Sequence, residues 1–418
     1  MNLTQYIRDQ MRQVTRHLMS GKTAEASAAI QKVLDELPAQ PGASLPPLPT
    51  FLRDRTQNKD ADHAAASVPA TDFVSDLLKR LGVPSPLDGA ANGVKDFEEK
   101  RASLTPEELE AERAEGHGQF LTKSFTNHAG TRSYKLYIPS SYQGQAMPLM
   151  IMLHGCTQNP DDFANGTGMN IVAEESQCFV AYPMQTQAAN VSRCWNWFNA
   201  VDQQRDQGEP SIIAGITQAI LNDYKLDARK VYVAGLSAGG AMAIIMGTTY
   251  PDMYAAVGVH SGLPYAAAHD LPSALAAMKG NAAGVRFNSK QPAGTRLHSI
   301  PIIAFHGDQD ATVSPHNSEQ LMTQNVPEFT SNQGENEPDR SQQIRPVVIV
   351  QEGKVSDGHR YTQTSHHDDS GRSIAEHWLI HGAGHAWAGG DRSGTYTDGK
   401  GPDASREMMR FFSTQSLS

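Results

Sequence analysis

Residues 230–247 read KVYVAGLSAGGAMAIIMG, and they contain a strand, a turn and a helix in succession. Residues 231–234 are apolar and β-prone, which predicts a buried strand. Gly235-Leu236-Ser237-Ala238-Gly239 then gives G-x-S-x-G, followed by the continuous apolar run AMAIIMG of a buried helix. That order is the strand, sharp turn and helix of a nucleophile elbow. Glycines two residues either side of Ser237 have a physical reason, because side chains there would collide with the adjoining strand and helix. The competing reading is a glycine-rich turn whose serine is an ordinary N-cap.

The same alternation continues on both sides of the elbow. Strands are predicted at 149–153, 179–182, 230–234, 255–259 and 300–305, with helices at 170–175, 209–224, 239–249, 272–278 and 315–323. Upstream, 120–126 and 133–138 flank the turn-like 127–130 and read as a hairpin. Short apolar strands alternating with helices specify an α/β fold, a mostly parallel sheet covered on both faces. Its active site is expected at the carboxyl ends of the strands.

A serine hydroxyl needs a base to become a nucleophile, and the base needs an orienting carboxylate. The order Ser, Asp, His along the chain selects residues after Ser237. PIIAFHGDQDATVSP (301–315) places Asp308 and Asp310 just past a buried strand, and Asp310 is chosen as the acid, with Asp308 the alternative. WLIHGAGHAWAGG (378–390) carries His385 in a glycine-rich loop beyond a strand at 378–380, the expected place for the base; His381, at the strand end, is the alternative. Two N–H groups should face the developing oxyanion, each lowering the barrier by about 3 kcal/mol. Those of Ala238, next to the nucleophile, and Cys156, in the loop after PLMIML, are the candidates. His154 then reads as a loop-shaping residue. The run His366-His367-Asp368-Asp369 lacks the helical spacing of a zinc site, so no metal is expected there.

LHGCTQ (153–158), CWNWF (194–198), GLSAGGAM (235–242), SGLPY (261–265), HGDQDATVSP (306–315) and GAGHAW (382–387) together resemble the poly(3-hydroxybutyrate) depolymerase family of esterases, which includes feruloyl and acetylxylan esterases. The likeness covers roughly 118–412, with the six blocks in family order. It implies an α/β-hydrolase fold, a cofactor-free serine esterase mechanism and a triad of Ser237, Asp310 and His385. It also implies a bridge between Cys156 and Cys194, leaving Cys178 as a core residue. Trp195, Trp197, Tyr265 and Trp387 are read as an aromatic wall for an apolar acyl chain, polyester segment or cinnamoyl ring, against the plainer reading of core aromatics. The implied substrate is a short-chain polyhydroxyalkanoate or its oligomers. A feruloyl or acetylxylan ester, or a polyaspartate-type amide, is the alternative, and a catalytically silent docking protein is the reading from another class.

The rest of the 418 residues differs in kind. In residues 1–37, Leu3, Ile7, Met11, Val14 and Leu18, then Ala26, Ile30, Val33, Leu34 and Leu37, form two helical stripes around Gly21, a hairpin suited to packing on the main domain or a second copy. Membrane-surface or granule contact is the alternative. Residues 38–117 read as a linker, opening with PAQPGASLPPLPT, and short helices at 72–81 and 106–114. With 35 basic against 45 acidic side chains, the net charge of -10 argues against nucleic acid as a partner. No apolar run approaches the roughly 18 residues of a transmembrane helix. Arg8, Arg12 and Arg16 interrupt the N-terminus where a secretory signal needs a continuous apolar core, so a cytoplasmic location is expected, with secretion the alternative.

Overall fold

The computed structural model describes residues 118–280, 300–326 and 346–417. The hairpin, linker and short helices expected in 1–117 lie outside the described residues. Ten strands form one sheet in the order β1-β2-β4-β3-β5-β6-β7-β10-β9-β8. They are β1 (Gln119–Asn127), β2 (Gly130–Ile138), β3 (Leu149–Leu153), β4 (Phe179–Pro183), β5 (Val231–Leu236), β6 (Ala256–His260), β7 (Ile302–Gly307), β8 (Val347–Lys354), β9 (Arg360–His367) and β10 (Ser373–His381). From β4 to β10 the six central strands run parallel. The β1-β2 and β8-β9 hairpins close the two edges antiparallel. β3 to β7 are buried at every residue, which is why they read as unbroken apolar runs.

Helices cover both faces. α1 (Pro160–Thr167) and α2 (Met169–Ser176) connect β3 to β4, α3 (Gly208–Tyr224) precedes β5, and α4 (Ala238–Thr249) joins β5 to β6. α5 (Leu271–Met278), α6 (His316–Asn325) and the C-terminal α7 (Ala404–Ser413) follow. One apolar core forms between the sheet and α3, α4, α5 and α6, and includes Ile213, Ile216, Met242 and Leu321. The opposite core includes Phe163, Val172, Met408 and Phe412 from α1, α2 and α7. α4 is apolar all round and buried along nearly its whole length, as its sequence requires. This is the α/β-hydrolase arrangement, with every parallel strand ending on the side of Ser237.

The parallel sheet is therefore confined to the six central strands. α1 lies where PDDFANGT offers poor helix formers; Asn159 caps it by accepting from Asp162 N, Pro160 occupies the first turn, and Asp161 and Asp162 face the helix N-terminus. β9 (RYTQTSHH) has few β-branched apolar residues and is organised by its neighbours in the sheet. β8 is exposed on both faces, a pattern that alternation cannot detect.

Candidate active site

At the end of β5, Ser237 has φ 56° and ψ −119°, a conformation L-residues rarely adopt. The turn holds because its N–H donates to His260 O (2.9 Å) and its carbonyl accepts from Ala241 N (2.9 Å). A Cβ on Gly239 would lie 2.0 Å from Leu153 O, and one on Gly235 would lie 2.4 Å from Gly239 O. The elbow is thus wedged between β3 and α4, and only glycine fits on either side. Ser237 is itself partly exposed. Ala238 opens α4, so its N–H is one of the first-turn donors that lack an acceptor inside the helix.

Beyond β7 and β10 the structure forms two Asp–His pairs, one for each alternative the sequence offers. Asp310 Oδ2 accepts from His385 Nδ1 at 2.7 Å, with the Asp310 side chain wholly buried and His385 nearly so. Asp308 Oδ2 meets His381 Nδ1 at 3.0 Å, but this pair is partly exposed and His381 Nε2 is engaged by Thr362 Oγ1 at 2.9 Å. His381 therefore has no ring nitrogen left to serve a nucleophile. His260, which accepts from Ala388 N at 2.9 Å, ties the loop of His385 to the β6 end that holds Ser237. Among the described residues, no hydrogen bond links Ser237 Oγ to His385 Nε2, and catalytic contacts of this kind commonly tighten only with substrate bound.

Asp310 accepts from four donors. Oδ1 takes Thr312 N (2.9 Å) and Val313 N (2.8 Å); Oδ2 takes His385 and lies 3.3 Å from His306 Nε2. Burial works to raise its pKa, yet the His306 and His385 contacts hold it well below the usual carboxylate range. His306, fully buried, was missing from the sequence reading, although its i, i+4 spacing to Asp310 in HGDQD was there to be read.

Cys156 and Cys194 are joined by a disulfide, and Cys178 is a buried free thiol whose pKa burial pushes up to about 12. Among the described residues, Cys156 N has no backbone acceptor, whereas both neighbouring residues are pinned: Gly155 N donates to Gln158 Oε1 (2.9 Å) and Thr157 N to Ser192 O (2.7 Å). His154 is fully buried, and burial pushes its pKa down to about 4. Its Nε2 accepts from Gln185 N (3.1 Å), which leaves the proton on Nδ1 to donate to Gly155 O (2.8 Å).

The three tryptophans of the expected aromatic wall lie in the core. Trp195 and Trp387 are each 1% exposed, and their indole N–H groups are satisfied internally, by His154 O (3.1 Å) and Ser405 Oγ (3.1 Å). Trp387 stacks on His260 and meets Phe163 edge-on, as a core residue does. Trp197 is buried against Phe198, while Tyr265 stays partly exposed with its hydroxyl donating to Gln203 O (3.0 Å). A tryptophan near a motif satisfies either reading; burial with an internal acceptor identifies packing. Tyr396, unremarked in the sequence, lies with its hydroxyl 3.4 Å from Thr157 Oγ1 beside the Cys156 loop. Among the described residues no cluster of His, Cys, Asp or Glu comes together to hold a metal ion, and no helix is long and apolar enough to cross a membrane.

Residues 132–334 match the family described as Esterase PHB depolymerase. The chain is 32% identical over 204 residues to poly(3-hydroxyalkanoate) depolymerase C of Paucimonas lemoignei, covering 48% of this chain and 49% of that protein. It is 28% identical over 165 residues to a probable acetylxylan esterase A of Aspergillus fumigatus, covering 39% and 43%. A similar likeness, 28% over 149 residues, joins it to feruloyl esterase B of Neurospora crassa, covering 35% and 49%. The chain thus spans about half the length, or less, of these curated relatives. Among solved structures it is similar to an acetyl xylan esterase from Aspergillus awamori at 19% identity and a TM-score of 0.48, covering 72% of this chain and all of that one.

Proposed function

We propose that this chain, whose residues 132–334 match the PHB depolymerase esterase family, is a serine carboxylic-ester hydrolase acting through an acyl-enzyme on short-chain polyhydroxyalkanoate or its oligomers. The observation that carries the reading is the buried Asp310–His385 pair on the elbow side of the sheet. In this mechanism Ser237 Oγ attacks the ester carbonyl while His385 Nε2 takes its proton, and Asp310 holds the other ring nitrogen as a donor. The oxyanion is received by the N–H groups of Cys156 and Ala238. The ester bond breaks, His385 returns the proton to the leaving alcohol, and water activated by the same base then releases the acid. Similarity to a poly(3-hydroxyalkanoate) depolymerase supports the polyester substrate.

The likeness to acetylxylan and feruloyl esterases favours a plant-cell-wall ester as the second reading. Side-by-side turnover of 3-hydroxybutyrate oligomers, methyl ferulate and acetylated xylan tests the ranking. Oligomers should be cleaved fastest, and activity on either other substrate with none on oligomers overturns it. Contact with a second copy or a granule through residues 1–37 and a cytoplasmic site of action also stand as proposals. Removal of residues 1–50 followed by sizing tests the self-contact, which an unchanged number of copies per particle would refute.

A further inference from the structure

Glu209 is only 4% exposed, in the first turn of α3, far in sequence from every residue of the proposed mechanism. Burial and the nearby Asp202 push its pKa up to about 7, opposed by the donors around it. All of those partners are donors: Asn196 N at 2.7 Å on Oε2, with Asn196 Nδ2 at 2.8 Å and Gln185 Nε2 on Oε1. The Arg132 guanidinium stands 3.7 Å away. Such a set is satisfied by a carboxylate, not a carboxylic acid, and the helix N-terminus favours the same form.

Two paths lead from this carboxylate to the Cys156 N–H. In the first, Glu209 holds Asn196, two residues from Cys194, whose sulfur is bonded to Cys156 and whose carbonyl accepts from Gln185 Nε2 at 3.0 Å. In the second, Gln185, fixed by Glu209 and by Arg132 Nε at 3.1 Å, presents its main-chain N–H to His154 Nε2, and His154 Nδ1 donates to Gly155 O. Gly155 C=O and Cys156 N–H belong to one planar peptide, so fixing the carbonyl aims the N–H in the opposite direction. Trp195 Nε1 on His154 O joins the two paths.

We infer that Glu209 is a positioning residue for ester hydrolysis: with Gln185 and Asn196 it orients the Gly155–Cys156 peptide as an oxyanion donor. The inference rests on the serine esterase reading above. Glu209→Gln places an amide N–H₂ among donors and should lower kcat on p-nitrophenyl butyrate by about 10- to 100-fold, part of the loss caused by deleting an oxyanion donor, with KM within about threefold. Affinity for a trifluoromethyl ketone, whose hemiketal oxyanion occupies the same place, should fall by the same factor as kcat. Asn196→Ala, a milder change, should show the same parallel at smaller amplitude, and it carries the test alone if Glu209→Gln does not unfold cooperatively. A folded variant with wild-type kcat, or a fall in kcat with inhibitor affinity unchanged, overturns the positioning role. If instead the wild-type protein cleaves no ester, or Ser237→Ala equals it, the esterase reading itself has failed.

Discussion

Asp310→Asn discriminates most sharply between the two Asp–His pairs. All four contacts to the Asp310 carboxylate come from donors: two backbone N–H groups on Oδ1 and two imidazole nitrogens on Oδ2. Of these, His306 Nε2 must carry a proton, since it also lies 2.9 Å from the Val313 carbonyl. Asparagine can keep the Oδ1 contacts only by turning its N–H₂ toward His385 Nδ1. Two donors then face each other, and the imidazole escapes by moving its proton to Nε2, the nitrogen that must accept from Ser237. The same exchange in a serine-protease triad lowers kcat by about 10⁴, a barrier increase of about 5 kcal/mol. We expect a loss of that order on p-nitrophenyl butyrate. Asp308→Asn disturbs a partly exposed pair worth about 1 kcal/mol or less, and its amide oxygen can still accept from Gly382 N (2.7 Å), so kcat should stay within about threefold. Asp310→Asn activity above one tenth of wild type, or a larger loss from Asp308→Asn, refutes the assignment of the acid.

Three further outcomes follow from packing and charge. Gly239→Ala must accommodate a Cβ 2.0 Å from Leu153 O, so soluble protein should be less stable by about 3 kcal/mol in urea unfolding and nearly inactive; a wild-type midpoint contradicts the wedged elbow. Cys194→Ser opens a link spanning 38 residues, which loop entropy sets at about 4 kcal/mol; thermal unfolding should move down by several degrees, and an unchanged Tm refutes that contribution. Burial, then neighbouring His306 and His385, pushes the pKa of His260 down to about 3. Because the unfolded chain binds that proton more readily, stability falls on acidification below the ordinary histidine value, by about 2 kcal/mol between pH 7 and pH 5. His260→Gln should lose less stability than wild type over that interval, and equal losses in urea titrations at the two pH values contradict the buried neutral ring.

The elbow was legible because its chemistry is local: a strand, two obligatory glycines and a buried helix lie within 18 consecutive residues. Asp310 and His385 were legible as positions after apolar strands, but their pairing was not, since Asp308 and His381 offer the same residue types two and four places away. Only burial and the Thr362 contact on His381 separate the pairs. The tryptophans show the opposite limit. Nothing local distinguishes an indole lining a pocket from one whose N–H has a buried acceptor such as Ser405, 18 residues away. Glu209, Gln185 and Arg132 are assembled from separate elements by the fold, and no spacing announces them.

The central claim is that Ser237 is the acylated nucleophile. Incubation with diethyl p-nitrophenyl phosphate followed by peptide mass mapping should place one diethylphosphoryl group on Ser237 in step with loss of esterase activity. Modification at another residue, or full activity after Ser237 is modified, contradicts it.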